Sequence, residues 1–353
     1  MTDVHKDCFT LSKYIDGFLD WNIEKIKACV VDVFNYNEYL ICDFDKVAKD
    51  IKQVPILKNI VLVPQRSPEW FDLRLNRLTA SDLAQALGKG KFGTRKQLLE
   101  KKAFPEKVVF DNFMAPLKWG VMFEEMGMRC YNQSVNKAKI FEFGLIPNNE
   151  IKCFGASPDG ITETGIMVEM KCPFKRKCTN DVPEQYFLQI QGQLATCNLS
   201  FCDYVECYFE IYHDICEYTM NCKDMNTVNH GIILEFTDAG NNYKYEYSPE
   251  YYTSSQCIEW ANHTVGMVLK ENPGYTFVKM SPFKLKNMFH TRVEFDKTLW
   301  DELVPQIYKF WEDVEKLRVD GLPDVPIVEK KSRKTKEIAR DKYKFIDDSD
   351  DEK

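Results

Sequence analysis

The feature that most constrains the fold of this chain is a pair of short segments on either side of a turn. Residues 155–160 read Gly-Ala-Ser-Pro-Asp-Gly, and residues 166–171 read Ile-Met-Val-Glu-Met-Lys. The second segment has the composition of a half-buried β-strand, in which alternate side chains share a face. Glu169 and Lys171 therefore point the same way, and the apolar residues beside them point into a core.

A hairpin between the two segments brings Asp159 to the face of Glu169 and Lys171. Two carboxylates and one ammonium then converge, which is costly unless a metal ion and an anionic substrate occupy the site. Carboxylates are ligands that Mg²⁺ prefers, so the pattern predicts a magnesium site with a lysine beside it. The alternative is a surface hairpin with an ordinary Glu–Lys pair, because so short a pattern also arises by chance.

Composition sets the broad class of the protein. The chain has 353 residues, of which 44% are hydrophobic, enough for one large domain with additions. It has no apolar stretch of about 18 residues, so no transmembrane helix and no membrane partner are expected. The start of the chain lacks the pattern of a signal peptide, and none of the 13 cysteines forms a Cys-x-x-Cys pair. These features predict an intracellular protein with reduced thiols.

The net charge of −7 does not favour a general DNA coat, but local basic clusters can still contact phosphates. The first cluster consists of Lys89, Lys91, Arg95, Lys96, Lys101 and Lys102. The second follows the acidic motif and consists of Lys171, Lys175, Arg176 and Lys177. We predict that both clusters contact nucleic acid, and the alternative is that each is a solvated face.

The order of the patterns predicts an α/β fold with three parts. Residues 1–62 form a helical N-terminal extension, residues 63–320 form the main domain, and residues 321–353 form a disordered charged tail. Within the main domain, helices are expected over 183–197, 252–270 and 296–318, and strands at 139–146, 151–156, 166–171, 204–212, 232–236 and 243–247.

Six motifs follow one another in a fixed order. They are Trp70-x-x-x-Arg74, Leu78-Thr79-Ala80-Ser81, Trp119-Gly120-x-x-x-Glu124, Ser157-Pro158-Asp159-Gly160, Glu169-x-Lys171-Cys172-Pro173-Phe174 and Tyr186-x-x-Gln189-x-Gln191. Over residues 64–215 this order resembles the lambda-exonuclease/YqaJ viral recombinase family, within the PD-(D/E)xK nuclease superfamily. The resemblance implies a restriction-endonuclease-like core, with a mixed central sheet flanked by helices, and a large DNA virus as the source.

The resemblance also implies roles for individual residues. Asp159 and Glu169 match the family's metal-binding carboxylates, with the backbone carbonyl of Met170 as a further ligand. Lys171 matches the residue that orients or deprotonates the attacking water. Glu124 matches a further acid at the metal, and Gln189 matches the glutamine that steadies the lysine or the water.

A second set of residues matches the family's binding site for DNA. Arg74 and Ser81 match the pair that holds the 5′-phosphate of a DNA end, where a forked guanidinium suits two phosphate oxygens. Arg77 and Lys175 are predicted to contact DNA as well. The family pattern carries a glycine where this chain has Asn76.

The activity that follows from the resemblance is Mg²⁺-dependent exonuclease digestion of duplex DNA ends, with Mn²⁺ as a possible substitute. Digestion from 5′ to 3′ would leave 3′ single strands for recombination, repair or replication of viral DNA. The implied partners are double-stranded DNA ends, a single-strand annealing protein and further copies of the chain, in host cytoplasm or nucleus. The alternatives are a structure-specific endonuclease and an inactive module that binds DNA ends.

Overall fold

The computed structural model of the protein describes residues 44–60, 63–105, 115–136, 138–176, 181–223 and 225–321. Its helices are α1 (Phe44–Lys58), α2 (Pro68–Leu75), α3 (Leu83–Ala86), α4 (Arg95–Ala103), α5 (Ala115–Tyr131), α6 (Glu184–Cys197), α7 (Ile215–Cys222), α8 (Ser254–Glu271) and α9 (Lys297–Asp320). Its strands are β1 (Leu78–Thr79), β2 (Ile140–Phe141), β3 (Ile146–Pro147), β4 (Phe154–Ala156), β5 (Gly160–Thr162), β6 (Met167–Lys171), β7 (Phe201–Ile211), β8 (His230–Asp238), β9 (Tyr243–Tyr247) and β10 (Tyr275–Glu294).

A seven-stranded mixed sheet forms the centre of the molecule, in the order β2-β5-β6-β7-β10-β8-β9. Strands β6 and β7 are parallel, and the other neighbours are antiparallel. A smaller sheet has the order β1-β4-β3. The predicted α/β class with a mixed central sheet flanked by helices is confirmed.

Helices cover both faces of β6 because its side chains alternate. Val168 and Met170 pack in one core cluster with α5. Met167 packs on the opposite face with α6 and α1. The approach of α5 is close, since a Cβ atom added at Gly127 would lie 2.6 Å from the sulfur of Met170. Glycine at this position lets α5 lie against the strand that carries Glu169 and Lys171.

Strand β10 is the one long element that the sequence did not predict. It runs for 20 residues between β7 and β8 and carries Pro282. Proline is disfavoured inside a central strand because it lacks an N–H donor. Here the strand changes its main partner near that residue: Pro282 is paired with Ile232 of β8, and its carbonyl accepts the backbone N–H of Tyr212.

The N-terminal extension ends in a helix that belongs to the core. Helix α1 buries Val47, Ile51, Val54 and Leu57. It lies against the turn between β5 and β6, where Gly165 has a φ of +87° and a Cβ atom would lie 2.7 Å from Asp50. The part of the extension before residue 44 lies outside the described residues, as does the predicted tail after residue 321. No helix in the described ranges is both long and apolar enough to span a membrane.

Candidate active site

The β5–β6 hairpin assembles the acidic motif as the sequence predicts. Gly160 is paired with Val168, and Ile161 with Met167, in antiparallel register. This pairing places Asp159 beside β6, where its Oδ2 accepts the backbone N–H of Met170 at 2.8 Å. Asp159 and Glu169 therefore share one end of the central sheet.

Glu169 is fully buried and takes hydrogen bonds from three side chains. Its Oε1 accepts the Nζ of Lys171 and the Nε2 of Gln189, the latter at 2.6 Å. Its Oε2 accepts the Nε2 of Gln193 at 2.7 Å. Gln189 and Gln193 lie one turn apart on α6, so both reach the same carboxylate. The structure thus brings Gln189 to the acid, and Gln193 with it.

Three carboxylates crowd this end of the sheet. Burial raises the pKa of Asp159 well above its usual value, and the charges of Glu169 and Glu124 raise it further. Burial also raises the pKa of Glu124, although Arg66 and Lys171 oppose the shift. The Nη2 of Arg66 donates to Glu124 Oε2 at 2.7 Å. Mutual repulsion in a partly buried cluster favours binding of a cation.

Lys171 is the ammonium inside this cluster. Burial alone would lower its pKa, but the carboxylates of Glu169 and Asp159 outweigh burial and hold the pKa above its ordinary value. Its Nζ lies 5.1 Å from the centre of the Tyr186 ring. Lys171 is therefore positively charged at neutral pH, which suits orienting water or phosphate better than removing a proton.

The predicted metal ligands meet at one site but do not form a finished cage. Within the described ranges, no group of three His, Cys, Asp or Glu side chains is arranged to hold a metal ion. Each of these carboxylates has a partner within the protein: Glu169 accepts Lys171, Glu124 accepts Arg66, and Asp159 accepts the backbone N–H of Met170. The donors nevertheless fit a hard divalent cation, because they are carboxylates with excess negative charge.

A second predicted pair also comes together. The Nη2 of Arg74 donates to the Oγ of Ser81 at 2.7 Å. The guanidinium of Arg74 also lies 4.4 Å from the ring centre of Trp70, whose Nε1 donates to Ser157 at 3.1 Å. Burial lowers the pKa of Arg74, while the nearby carboxylates of Asp82, Asp159 and Glu169 oppose that shift. The arginine therefore lies within electrostatic range of the acidic cluster.

Helix α2 positions Arg74 in its last turn. The Oγ of Ser67 caps the helix by accepting the N–H of Trp70 at 3.1 Å, and Pro68 occupies the first turn. The helix ends at Leu75, and Asn76 has a φ of −90°. That conformation does not require glycine, so Asn76 can end the helix where the family pattern has Gly. Arg74 keeps its hydrogen bond to Ser81.

The residues beneath this pair were misread from the sequence. The side chain of Lys102 is 1% exposed, and its Nζ lies 2.7 Å from Asp82 Oδ2 and 2.6 Å from the backbone oxygen of Arg74. The prediction that Lys102 contacts DNA is therefore wrong, because its ammonium is buried and bound to Asp82 and to the backbone of Arg74. Its neighbour Lys101 is exposed.

The other predicted DNA contacts lie elsewhere on the surface. Arg77 lines a cleft of about 630 Å³ together with Tyr308 and Trp311 of α9, whereas Asp159 opens into another cleft. Lys175 is exposed, with its Nζ 5.8 Å from the Phe174 ring. Their contacts with DNA stay predictions. Of the second cluster, Arg176 pairs with the buried Glu206, and Lys177 lies outside the described residues.

A larger cleft begins at the acidic cluster. It has a volume of about 1370 Å³, and Asp159 and Glu124 lie in its wall. Cationic and aromatic side chains share that wall, namely Lys58, Arg66, Arg129, Lys139, Phe141, Phe143, Tyr247 and Tyr251. The end of the sheet that carries the acidic cluster is therefore open to a large ligand.

The sequence pattern places Gln193 on one helix face with Gln189 but gives no site role to Gln193, Arg66 or Asp82. Gln193 carried a signal, since it repeats Gln189 at a spacing of four residues on an amphipathic helix. Asp82 directly follows Ser81, but nothing local shows that it meets Lys102. Arg66 has a φ of +66°, an uncommon conformation for arginine that the sequence does not reveal.

Comparison with known proteins finds a match to the segment that carries Arg74, Ser81, Asp159 and Glu169. A family model described as a YqaJ-like viral recombinase domain matches residues 69–200. An uncharacterised protein of Acanthamoeba polyphaga mimivirus is 23% identical over 306 residues, covering 74% of this chain and 54% of that protein. A protein of African swine fever virus (strain Badajoz 1971 Vero-adapted) is 27% identical over 176 residues, covering 42% of this chain and 50% of that protein. The chain spans about half the length of these two relatives.

Among solved structures, the chain is similar to the crystal structure of an alkaline exonuclease from Laribacter hongkongensis. The TM-score is 0.44 and the identity 19%, over 72% of this chain and 95% of that chain.

Proposed function

We propose that the chain is a metal-dependent exonuclease that acts on duplex DNA ends, and the match of residues 69–200 to a YqaJ-like viral recombinase domain supports this proposal. The observation that carries the proposal is the convergence of Asp159, Glu169 and Lys171 at one end of the sheet, with Arg74 within electrostatic range. An acidic centre for a cation then adjoins a basic pocket for a phosphate.

The proposed cofactor is Mg²⁺, with Mn²⁺ as a substitute, held by Asp159, Glu169, Glu124 and the carbonyl of Met170. Oxygen donors and excess negative charge fit such an ion. When bound, a divalent cation activates water and neutralises phosphate charge. The ammonium of Lys171 orients the water or a phosphate oxygen, and Gln189 and Gln193 hold the carboxylate of Glu169 in place.

The basic pocket supplies the preference for ends. A terminal 5′-phosphate carries more negative charge than an internal phosphodiester, and a guanidinium can bind two of its oxygens. In this proposal Arg74 and Ser81 bind the 5′-phosphate, and the strand with that end is digested from 5′ to 3′. The cleft of about 1370 Å³ beside Asp159 has room for the DNA strand.

The wider biological role belongs to the same proposal. The 3′ single strands that remain would serve recombination, repair or replication of viral DNA. A single-strand annealing protein and further copies of the chain are the proposed partners, and host cytoplasm or nucleus is the proposed location.

The test is digestion of linear duplexes and closed circles of the same sequence, with Mg²⁺ and with EDTA. Each linear strand carries a label at its 3′ end, so shortening from the 5′ end and from the 3′ end give different products. The proposal expects Mg²⁺-dependent 5′ shortening of linear DNA and intact circles. Cut circles would instead identify an endonuclease, and binding of ends without cleavage would identify an inactive module.

A further inference from the structure

A buried ion pair lies directly beneath the proposed phosphate pocket. Lys102 of α4 is 1% exposed, and its Nζ contacts Asp82 Oδ2 at 2.7 Å. The same Nζ donates to the backbone oxygen of Arg74 at 2.6 Å. One ammonium therefore holds both the last turn of α2, which carries Arg74, and the residue that follows Ser81.

Asp82 connects the pair to the hydroxyl groups of the pocket. Its Oδ2 accepts the Oγ1 of Thr79 at 2.9 Å, and that hydroxyl lies 3.1 Å from Ser81 Oγ. Ser81 Oγ in turn accepts Arg74 Nη2 at 2.7 Å. The contacts form a closed network from Lys102 through Asp82, Thr79 and Ser81 to Arg74.

The charges of this network decide what the pocket can bind. Asp82 attracts both Arg74 and Lys102, and Lys101 adds a weaker attraction. With Lys102 on Asp82, the guanidinium of Arg74 is left as the excess positive charge beside Ser81. Without Lys102, Asp82 would be a buried carboxylate whose nearest cation is Arg74, and Arg74 would be drawn down onto it.

We propose that Lys102 is a positioning residue: by pairing with Asp82 it keeps Arg74 and Ser81 available for a terminal phosphate, and so sets the preference for 5′-phosphorylated ends. The inference rests on the proposed function, because it assigns the source of end selection at that same site. Lys102 does not touch the reacting atoms in this account, and it acts through Arg74.

A purely structural role would not need this arrangement. Removing a lysine and an aspartate from water is costly, and an apolar pair often stabilises a fold as well. Helix α4 already has other anchors to α9, since Arg95 pairs with Asp313 at 2.7 Å and Arg318 donates to the carbonyl of Lys102 at 2.8 Å. The ammonium of Lys102 contacts Asp82 and the backbone oxygen of Arg74, whereas its own backbone carbonyl accepts a hydrogen bond from Arg318 of α9.

The experiment measures kcat/KM of the full chain on linear duplexes that differ only in a 5′-phosphate or a 5′-hydroxyl. The ratio of the two values is the end preference. We expect Lys102→Met to lower this ratio about ten-fold or more, because kcat/KM falls on the 5′-phosphorylated duplex and stays the same on the 5′-hydroxyl duplex. Lys101→Met, at the exposed neighbouring residue, is the matched control, and it should change both substrates alike.

A second variant restores the balance of charge. In Lys102→Met/Asp82→Asn the carboxylate is gone as well, so Arg74 is no longer drawn away from the pocket. We expect the double variant to regain most of the end preference that Lys102→Met loses. If Lys102→Met does not fold, Lys102→Arg and Lys102→Gln decide the matter: the arginine keeps a cation on Asp82 and should keep the preference, whereas the neutral amide should lower it.

The outcomes separate the inference from the proposed function. Equal loss on both substrates, or an unchanged ratio in folded Lys102→Met, would overturn the positioning role while leaving the nuclease intact. Loss of preference in the double variant would also overturn it. A wild-type chain that cuts neither linear duplex would instead refute the proposed function.

Discussion

Two neighbouring regions of this molecule use charged side chains in opposite ways. At the end of β6, three carboxylates meet two cations, and the pKa values of Asp159 and Glu124 are raised by burial. Beneath α2, one carboxylate meets two cations. There the cations of Lys102 and Arg74 outweigh burial and hold the pKa of Asp82 well below its usual value. The first region fits a metal cation, and the second fits an anion.

Under the proposed function, this difference in charge gives the two regions separate tasks. Chemistry on a phosphodiester needs a cation, whereas selecting a DNA end needs a site for the terminal phosphate. Substitutions in the acidic region should therefore remove cleavage of every substrate. Substitutions in the basic region should change only which end is preferred.

The largest expected effect follows from Asp159→Asn. The amide keeps the shape of the side chain but removes a charge from the acidic region, so cleavage should fall at least about 1000-fold on every duplex. The raised pKa of Asp159 means that its charged form is destabilised in the fold. In EDTA the Tm of the variant should therefore rise. Glu163→Gln, in the same β5–β6 turn, is the control, and it should change neither activity nor Tm appreciably.

A smaller effect is expected from Gln193→Leu. This change removes the donor at 2.7 Å from Glu169 Oε2 and leaves Gln189 and Lys171 in place. Loss of one hydrogen bond to a buried carboxylate should lower kcat about ten-fold, with little change in KM for DNA. Gln191→Leu should behave differently, because Gln191 bonds the backbone of Glu294 and Asp296. A kcat that falls only with Gln191→Leu would contradict the assignment.

Ser81→Ala probes the basic region more gently. The hydroxyl accepts a hydrogen bond from Arg74 and lies near Thr79, but it carries no charge. We expect a loss of about three- to ten-fold in kcat/KM on 5′-phosphorylated duplexes and no loss on 5′-hydroxyl duplexes. Equal losses on both ends would show that the region does not select ends.

A separate prediction concerns stability rather than activity, at the buried carboxyl group of Asp50. Burial raises the pKa of Asp50 to about 6, against hydrogen bonds from Ser200 and the charge of Lys49. The folded state then holds a proton that the unfolded state has released. The contribution of Asp50 to the free energy of unfolding should therefore fall by roughly 3 kcal/mol as pH rises from about 4 to about 6, and then stay level.

Asp50→Asn should flatten that part of the curve of Tm against pH. The exposed Asp72→Asn serves as the control and should leave the curve unchanged. A curve for Asp50→Asn that keeps the wild-type slope between pH 4 and 6 would contradict the assignment of that slope to Asp50.

The acidic region could be predicted from the sequence because its key residues are close in the chain. Asp159, Glu169 and Lys171 lie within one hairpin, so strand alternation and one turn place them together. Gln189 was predicted through the family resemblance, and the spacing on α6 would also have suggested Gln193.

The basic region could be predicted only in part because it depends on distant residues. The resemblance assigns Arg74 and Ser81 jointly to a 5′-phosphate, and in the structure the two side chains are hydrogen-bonded to each other. Lys102 was taken for a DNA contact because a lysine in a basic segment reads as exposed. Only the packing of α4 beneath α2 reveals that it is buried. Strand β10 was missed for a similar reason, since its pairing with β7 and β8 outweighs the effect of Pro282.

The most direct test of the division between the two regions compares Lys171→Ala with Arg74→Ala on 5′-phosphorylated and 5′-hydroxyl duplexes in Mg²⁺. Lys171→Ala should lose cleavage of both substrates, because the ammonium in the acidic region is gone. Arg74→Ala should lose the advantage of the phosphorylated end and keep the cleavage of the hydroxyl end. If both variants lose both activities alike, or if Arg74→Ala keeps the preference, the account of separate chemistry and selection is contradicted.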